Sequence, residues 1–225
     1  MRIKLKFDST ENLVTKPLNK EVNGFVNKML GVNNEYHGKF SRYNVSSMQG
    51  GVPTVGGVKF PNGGFIYISS DDSDFMGKII MGLISNGKGN SVAGMGFRNF
   101  EISDFDVNEN FDLVRTISPI CTRINGKAIT FRDNNFCERI LEVSKKKLIN
   151  CGYEEKDVNT LDIQLFHPEN AKTKMVEING AKNIGNLVMF VVKGKKTVRK
   201  ALYELGIGTS TGFGFGSVSI NKNNK

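Results

Sequence analysis

The chain has 225 residues, enough for one large domain or two of about 110 each. With 39% apolar and 24% charged residues it has the composition of a globular chain that builds a core, so disorder is the wrong default. The net charge of +9, from 31 Lys and Arg against 22 Asp and Glu, favours a polyanionic partner, nucleic acid or an anionic membrane surface, without choosing between them.

Residues 1–7 read as a strand, with Ile3, Leu5 and Phe7 on one face and Arg2, Lys4 and Lys6 on the other. This alternation leaves no apolar core for a signal peptide, and no run approaches the ~20 apolar residues of a membrane helix. Cys121, Cys137 and Cys151 lack CxxC spacing, and with two distant histidines they do not make a four-ligand zinc site. The expectation is a cytoplasmic protein with reduced thiols, no metal or other cofactor, and no membrane partner.

From Pro17 the spacing turns helical, through Leu18, Val22, Phe25, Val26, Met29 and Leu30, and Gly31 suits a C-terminal stop. Gly63-Gly64 precede a strand over 65–69, and Asp71 or Asp72 caps a helix over about 73–84. Strands follow near 96–105 and 113–117. After Ser118-Pro119 the order recurs. Strand-like stretches lie near 120–124 and 128–131, then a helix opened by Asp133 or Asn134 runs to Gly152. Strands at 160–166 and 184–192, a short basic helix over 195–205 and a last strand over 213–220 complete the chain, with 221–225 expected to be disordered. Both halves read strand, helix, strands, helix, strand. The predicted fold is α+β, two tandem ferredoxin-like (RRM-like) domains at 1–118 and 119–225, whose open sheet faces suit RNA.

The segment Gly206-Ile207-Gly208-Thr209-Ser210-Thr211-Gly212-Phe213-Gly214-Phe215-Gly216 is the most distinctive stretch. Glycine removes the Cβ, so a phosphodiester chain can approach backbone N–H donors. Thr209, Ser210 and Thr211 offer hydroxyls, and Lys195, Lys196, Arg199 and Lys200 add charge. A dinucleotide GxGxxG fails, since three residues separate Gly208 from Gly212 and the segment enters a strand. The stretch 82–89 begins like a phosphate-binding P-loop but has Gly89 where Ser or Thr must meet magnesium. Nucleotide hydrolysis is therefore excluded as a leading reading.

The order helix, glycine segment, strand closely resembles the C-terminal signature of the CRISPR repeat-processing endoribonucleases. Ile117-Ser118-Pro119-Ile120 is similar to the Ser-Pro segment opening their second half. Tyr43-Asn44-Val45-Ser46-Ser47-Met48 and Phe65-Ile66-Tyr67-Ile68-Ser69-Ser70 resemble their first-half strands. The resemblance implies CRISPR repeat RNA as partner and metal-independent cleavage to a 2′,3′-cyclic phosphate and a 5′-hydroxyl. The alternative it admits is a repeat-binding relative that does not cut or an effector-complex subunit, and it leaves open a monomer or a homodimer; the presence of His37 favours the enzyme. A plain RNA-recognition module is the less favoured alternative, because Gly212-Phe213-Gly214-Phe215-Gly216 only partly mimics its signature strand.

The resemblance also implies the site. His37 lies where the family usually carries its catalytic histidine, within Glu35-Tyr36-His37-Gly38-Lys39-Phe40-Ser41-Arg42-Tyr43, and acts as general base, or as acid if another group takes the first proton. Lys39 or Arg42 would stabilise the phosphorane, and Tyr36 or Tyr43 would orient or donate. The catalytic set is thus His37, Lys39 and Tyr43. The RNA-binding set is Tyr36, Arg42, Lys195, Arg199, Gly206, Gly208, Thr209, Ser210, Thr211, Gly212, Gly214 and Gly216. His167 reads as structural or exposed. Lys145-Lys146-Lys147 reads as RNA footprint or solvated face, and Arg115, Arg123, Lys127 and Arg132 as a basic border at the domain junction.

Overall fold

The computed structural model of the chain describes residues 1–15, 18–31, 34–36, 41–178 and 180–221. The first unit is built from β1 (Arg2–Phe7), α1 (Asn19–Leu30), β2 (Asn44–Val45), β3 (Phe65–Ser69), α2 (Ser73–Asn86) and β4 (Met95–Ser103). Its sheet has the antiparallel order β2-β3-β1-β4, with the short strand Ser91–Val92 added beyond β4. The alternation in β1 does what it predicts: Ile3, Leu5 and Phe7 are buried against the helices. From α1 come Val22, Phe25, Val26 and Met29, and from α2 Phe75, Met76, Ile79 and Leu83. The Asp72 carboxylate accepts from the backbone N–H groups of Asp74 and Phe75 at 2.9 and 3.1 Å, a side-chain N-cap. The helices cross where Gly82 lies against the Met29 carbonyl, a contact that leaves no room for a Cβ.

The second unit repeats the pattern with β5 (Phe111–Thr116), α3 (Phe136–Asn150), β6 (Asp162–Phe166), β7 (Met189–Lys193), α4 (Lys196–Leu205) and β8 (Val218–Ile220). Its sheet order, β6-β7-β5-β8, is the order of the first sheet strand for strand. Each unit is therefore ferredoxin-like, as expected from the repeated element order. Val114, Ile163, Phe190 and Val192 pack under α3 and α4, where Phe136, Ile140, Val198 and Leu202 complete the core.

The domain boundary moves from the expected position. Residues 113–117 were assigned to the first domain, but β5 is the central first strand of the second sheet, hydrogen-bonded to β7 and β8. The break therefore falls between β4 and β5, at residues 104–110, rather than at Ser118. The stretches 120–124 and 128–131 give only a short ribbon, Arg123–Ile124 with Lys127–Ala128, outside the main sheets. The expected strand over 184–192 is two strands: the second arm of a hairpin, Lys172–Ile178 with Ala181–Leu187, and then β7. The last strand is also shorter than expected, since Thr211–Phe213 forms a single 3-10 turn.

A three-stranded side sheet, Thr10–Val14, Gly57–Phe60 and Val52–Thr54, flanks the first unit. The tail beyond 221 lies outside the described residues. No helix among the described residues is long and apolar enough to cross a membrane.

Candidate functional site

The glycine-rich loop leaves α4 and crosses the junction between the units before entering β8. It is mostly buried, which corrects the expectation that its backbone lies open to a phosphate chain. Gly206, Gly208, Thr211, Gly212, Gly214 and Gly216 are all buried, while Thr209 is half-buried and Ser210 exposed. The reason is visible in its partners. The Asn44 side-chain amide donates to the carbonyls of Thr211 and Phe215 at 3.2 and 2.8 Å. Asn19 donates to the Phe213 carbonyl at 2.8 Å and Asn23 to that of Gly212 at 3.1 Å. On the other flank the N–H groups of Thr209 and Gly216 donate to the Cys121 and Pro119 carbonyls, at 2.9 and 3.0 Å. The glycines are required by this close docking rather than by an exposed ligand. At Gly216, where φ is +69°, a Cβ would come within 2.1 Å of the Ile207 carbonyl oxygen. At Gly214, with φ +84°, it would meet the Asn19 amide nitrogen at 2.4 Å.

Beneath the loop lies Lys147, the last member of the lysine run. Its ammonium donates to the carbonyls of Gly206 and Gly208, both at 2.9 Å, with Leu205 O at 3.4 Å and Thr211 Oγ1 at 3.5 Å. Burial pushes its pKa down to about 7. The solvated-face reading fails for this residue, although Lys146 beside it is exposed.

His37 and Lys39 lie outside the described residues, but both flanks of their segment are described. On one side, the Tyr36 ring stands edge-on to Phe75 at 5.1 Å, with the Lys78 ammonium 5.2 Å from its centroid. On the other, Gly212 packs against the Ser41 hydroxyl and the Tyr43 ring. Tyr43 itself is a correction to the catalytic set. Its ring is stacked on Phe75 at 4.5 Å and buried in the first core, and burial raises its phenol pKa. It belongs to the core of the first unit rather than to a surface open to a substrate.

Arg42 is exposed but occupied. Its guanidinium makes a bidentate pair with Asp71, at 2.9 and 3.1 Å, and this hydrogen bonding raises its pKa. The phenol of Tyr153, from the second unit, donates to the same carboxylate at 2.9 Å. Through Tyr153 the Arg42–Asp71 pair joins the two units.

Arg199 is the clearest error in the RNA-binding set. Its side chain is 0% exposed and lies under the second sheet, paired with Asp112. It also donates to the carbonyls of Gly194, Asn108 and Glu109, and Tyr203 donates to Asp112 at 2.8 Å. A buried guanidinium with this many acceptors is a structural cation. Lys195 is exposed and paired with Asp157 at 2.7 Å. His167 is exposed, and its ring is hydrogen-bonded to Glu169 at 2.6 Å.

Two surfaces remain suited to RNA. On the open face of the first sheet, the Lys4 ammonium sits 4.2 Å from the Phe65 centroid, and Phe65 and Tyr67 meet edge-to-face at 5.6 Å. Between the side sheet and the 172–178 strand runs a cleft of about 540 Å³, lined by Asn19, Ser47, Gln49, Lys174, Met175 and Gly214. Arg115, Arg123, Lys127 and Arg132 are all exposed on the second unit. Among the described residues, His, Cys, Asp and Glu side chains form no group of three or more that could hold a metal ion.

The residues missed by sequence reasoning are Asn19, Asn23, Asn44, Lys147, Asp71 and Tyr153. Three of these carried a signal. Asn19 and Asn23 stand one turn apart on a helix, and Lys147 continues the buried α3 stripe of Phe136, Ile140 and Ser144.

The comparisons with known proteins agree with this geometry. The family model for the C-terminal part of the CRISPR associated protein Cas6 matches residues 103–220, which include β5, the hairpin and the whole glycine-rich loop. Over 97% of its length the chain is 26% identical to the CRISPR-associated endoribonuclease Cas6 1 of Methanocaldococcus jannaschii, 92% of which is covered. A Cas6-related protein from Pyrococcus furiosus superposes with a TM-score of 0.84 at 20% identity, over 99% of both chains. A RAMP protein described as binding different RNA substrates superposes at 0.81 with 18% identity, covering 99% of this chain and 100% of that one. At such identities the two superpositions establish the tandem ferredoxin-like fold, while the family match covers more than half of the chain. The chain belongs to the Cas6 family of CRISPR-associated proteins.

Proposed function

We propose that this chain is an endoribonuclease that cuts CRISPR precursor RNA within its repeats by attack of a ribose 2′-OH on the adjacent phosphate. In this reaction O2′ bonds to phosphorus as the P–O5′ bond breaks. A base takes the 2′-OH proton and the departing 5′ oxygen gains one, giving a 2′,3′-cyclic phosphate and a 5′-hydroxyl. His37 serves as the base, or as the acid if another group takes the first proton. Lys39 is the better source of charge for the dianionic phosphorane, because Arg42 is already bound to Asp71. Tyr36 is suited to orienting the RNA. Proton transfer by side chains, with no metal ion, suffices for this chemistry.

The observation that carries the reading is the docking of the family's glycine-rich loop on the flank of the 37–40 segment, Gly212 against Ser41 and Tyr43. Ser210, exposed on that loop, is its best RNA contact, whereas the half-buried Thr209 hydroxyl donates to the Cys121 carbonyl at 3.0 Å. The buried glycines contribute by shape. The M. jannaschii relative, called an endoribonuclease, supports cleavage over binding alone.

The test incubates purified protein with repeat RNA in EDTA, beside His37→Ala and an RNA carrying 2′-deoxy at the cut site. His37→Ala is expected to slow cleavage by about 10²–10⁴-fold while binding changes little, and the deoxy RNA should stay whole. Wild-type protein that binds and never cuts removes the enzyme reading in favour of a repeat-binding role. Undiminished cutting by His37→Ala removes the histidine assignment.

A further inference from the structure

Lys147 stands where the α3 pattern calls for an apolar side chain, with Ile140 and Ser144 before it and Cys151 one turn after. Its side chain is 6% exposed, so it is no phosphate contact. The carbonyls of Leu205, Gly206 and Gly208 converge on its nitrogen at the C-terminal end of α4, where backbone acceptors are left over and the helix dipole is negative. The arrangement is a small carbonyl cage with an ammonium in the place a cation would take. Such a buried charge adds little net stability, but it selects one arrangement of the chain around it. The arrangement selected here is that of the glycine-rich loop.

One further partner carries the effect across the junction. The Thr211 hydroxyl lies 3.5 Å from the Lys147 nitrogen and donates to the Tyr43 carbonyl at 3.2 Å. Tyr43 is followed at once by Asn44, whose amide returns to the Thr211 and Phe215 carbonyls. Tyr43 and Ser41 are also the residues against which Gly212 packs. A continuous set of contacts therefore runs from α3 through the loop to the start of β2, which is the fixed flank of the 37–40 segment.

We infer that Lys147 is a positioning residue, whose caged ammonium sets the glycine-rich loop and, through the Thr211 hydroxyl, the Tyr43 backbone at the start of β2. The inference rests on the cleavage reading above. It separates two properties that a merely structural lysine would change together: the grip on RNA and the rate of cutting once RNA is bound.

The experiment compares wild type, Lys147→Met and Thr211→Val. Affinity is measured with repeat RNA carrying 2′-deoxy at the cut site, and the single-turnover cleavage rate at saturating protein. Thr211→Val keeps the shape and removes only the hydroxyl link. It should lower the saturated rate about tenfold with affinity within about twofold, since small misplacements of reacting groups cost up to about 10²-fold. Lys147→Met should lower the rate further, toward that limit, and weaken binding as well because the loop itself loosens. Wild-type saturated rates in both variants overturn the inference. So do losses of rate and affinity that match the fraction of unfolded protein. If Lys147→Met does not fold, Thr211→Val decides alone. A wild type that binds without cutting instead overturns the reading on which this rests.

Discussion

The first unit packs hydrocarbon between its sheet and helices, with Ile3, Leu5, Ile66, Ile68, Phe75 and Ile79 at its centre, while its buried Arg2 donates to the Val218 carbonyl and the Ser217 hydroxyl of the second unit. The second unit, with the same strand order, encloses Arg199 with Asp112 and Tyr203 under its sheet and Lys147 under the glycine-rich loop. Backbone carbonyls explain the difference. In the second unit, the turn before α4 and the loop after it present carbonyls to the interior, and long cations are the side chains that satisfy several at once. Where the first unit meets the same loop it uses neutral amides, Asn19, Asn23 and Asn44. The loop is thus held by one charged donor, Lys147, on its own side and by uncharged amides on the other. A shared topology leaves the chemistry of the core free to differ.

That contrast can be broken by substitution. The largest effect belongs to the ion pair under the second sheet. Arg199→Met strands the Asp112 carboxylate in the interior and should cost about 3–5 kcal/mol of unfolding free energy. Urea denaturation checks this, and a loss below 1 kcal/mol would mean that the second unit does not depend on its buried charges. A smaller effect is expected on the neutral side. Asn44→Ala leaves the Thr211 and Phe215 carbonyls without their amide and should cost about 1–3 kcal/mol by the same measurement.

The contrast is sharpened by pH. Burial lowers the Lys147 pKa from 10.5 to about 7, so between those values the unfolded chain holds a proton that the folded chain has released. Stability must then rise with pH across this window, by at most about 1.4 kcal/mol per unit, and be flat in this respect below it. The carbonyls around the ammonium favour its charged form and reduce the slope. The neighbouring Cys151 thiol, pushed up to about 11, stays neutral through most of the window. Denaturation at pH 7, 8 and 9 should show a positive slope in wild type that is smaller in Lys147→Met. Equal slopes would show that the cage keeps the ammonium fully charged.

The elements were largely legible in the sequence because their signals are local. The alternation of β1, the helical stripe of α1 and the Asp72 cap of α2 each lie within a few residues of what they determine. The domain boundary was not, because β5 declares its sheet only by pairing with β7, more than seventy residues later. The loop was misread for a related reason. Its glycines satisfy the requirements of a phosphate cradle and of tight docking equally well. The choice is made by Asn19 and Asn44, far upstream in the chain. Arg199 was misplaced because a basic helix was read by its charge, although Tyr203 one turn later and Asp112 on β5 hold it inside.

The shortness of β8 has a consequence for how the molecule is assembled. Those three residues close the second sheet against β5, and they follow directly on a loop whose carbonyls are bound by the first unit. The N–H groups of Ile117 and Ser118 also reach the Ser217 carbonyl, at 2.7 and 3.1 Å. The loop that leads into this strand takes its side-chain amides from the first unit, so the strand's approach is fixed from both halves. The edge of the second sheet is therefore anchored in its neighbour, which couples the stability of two halves that each have the outline of a free-standing domain.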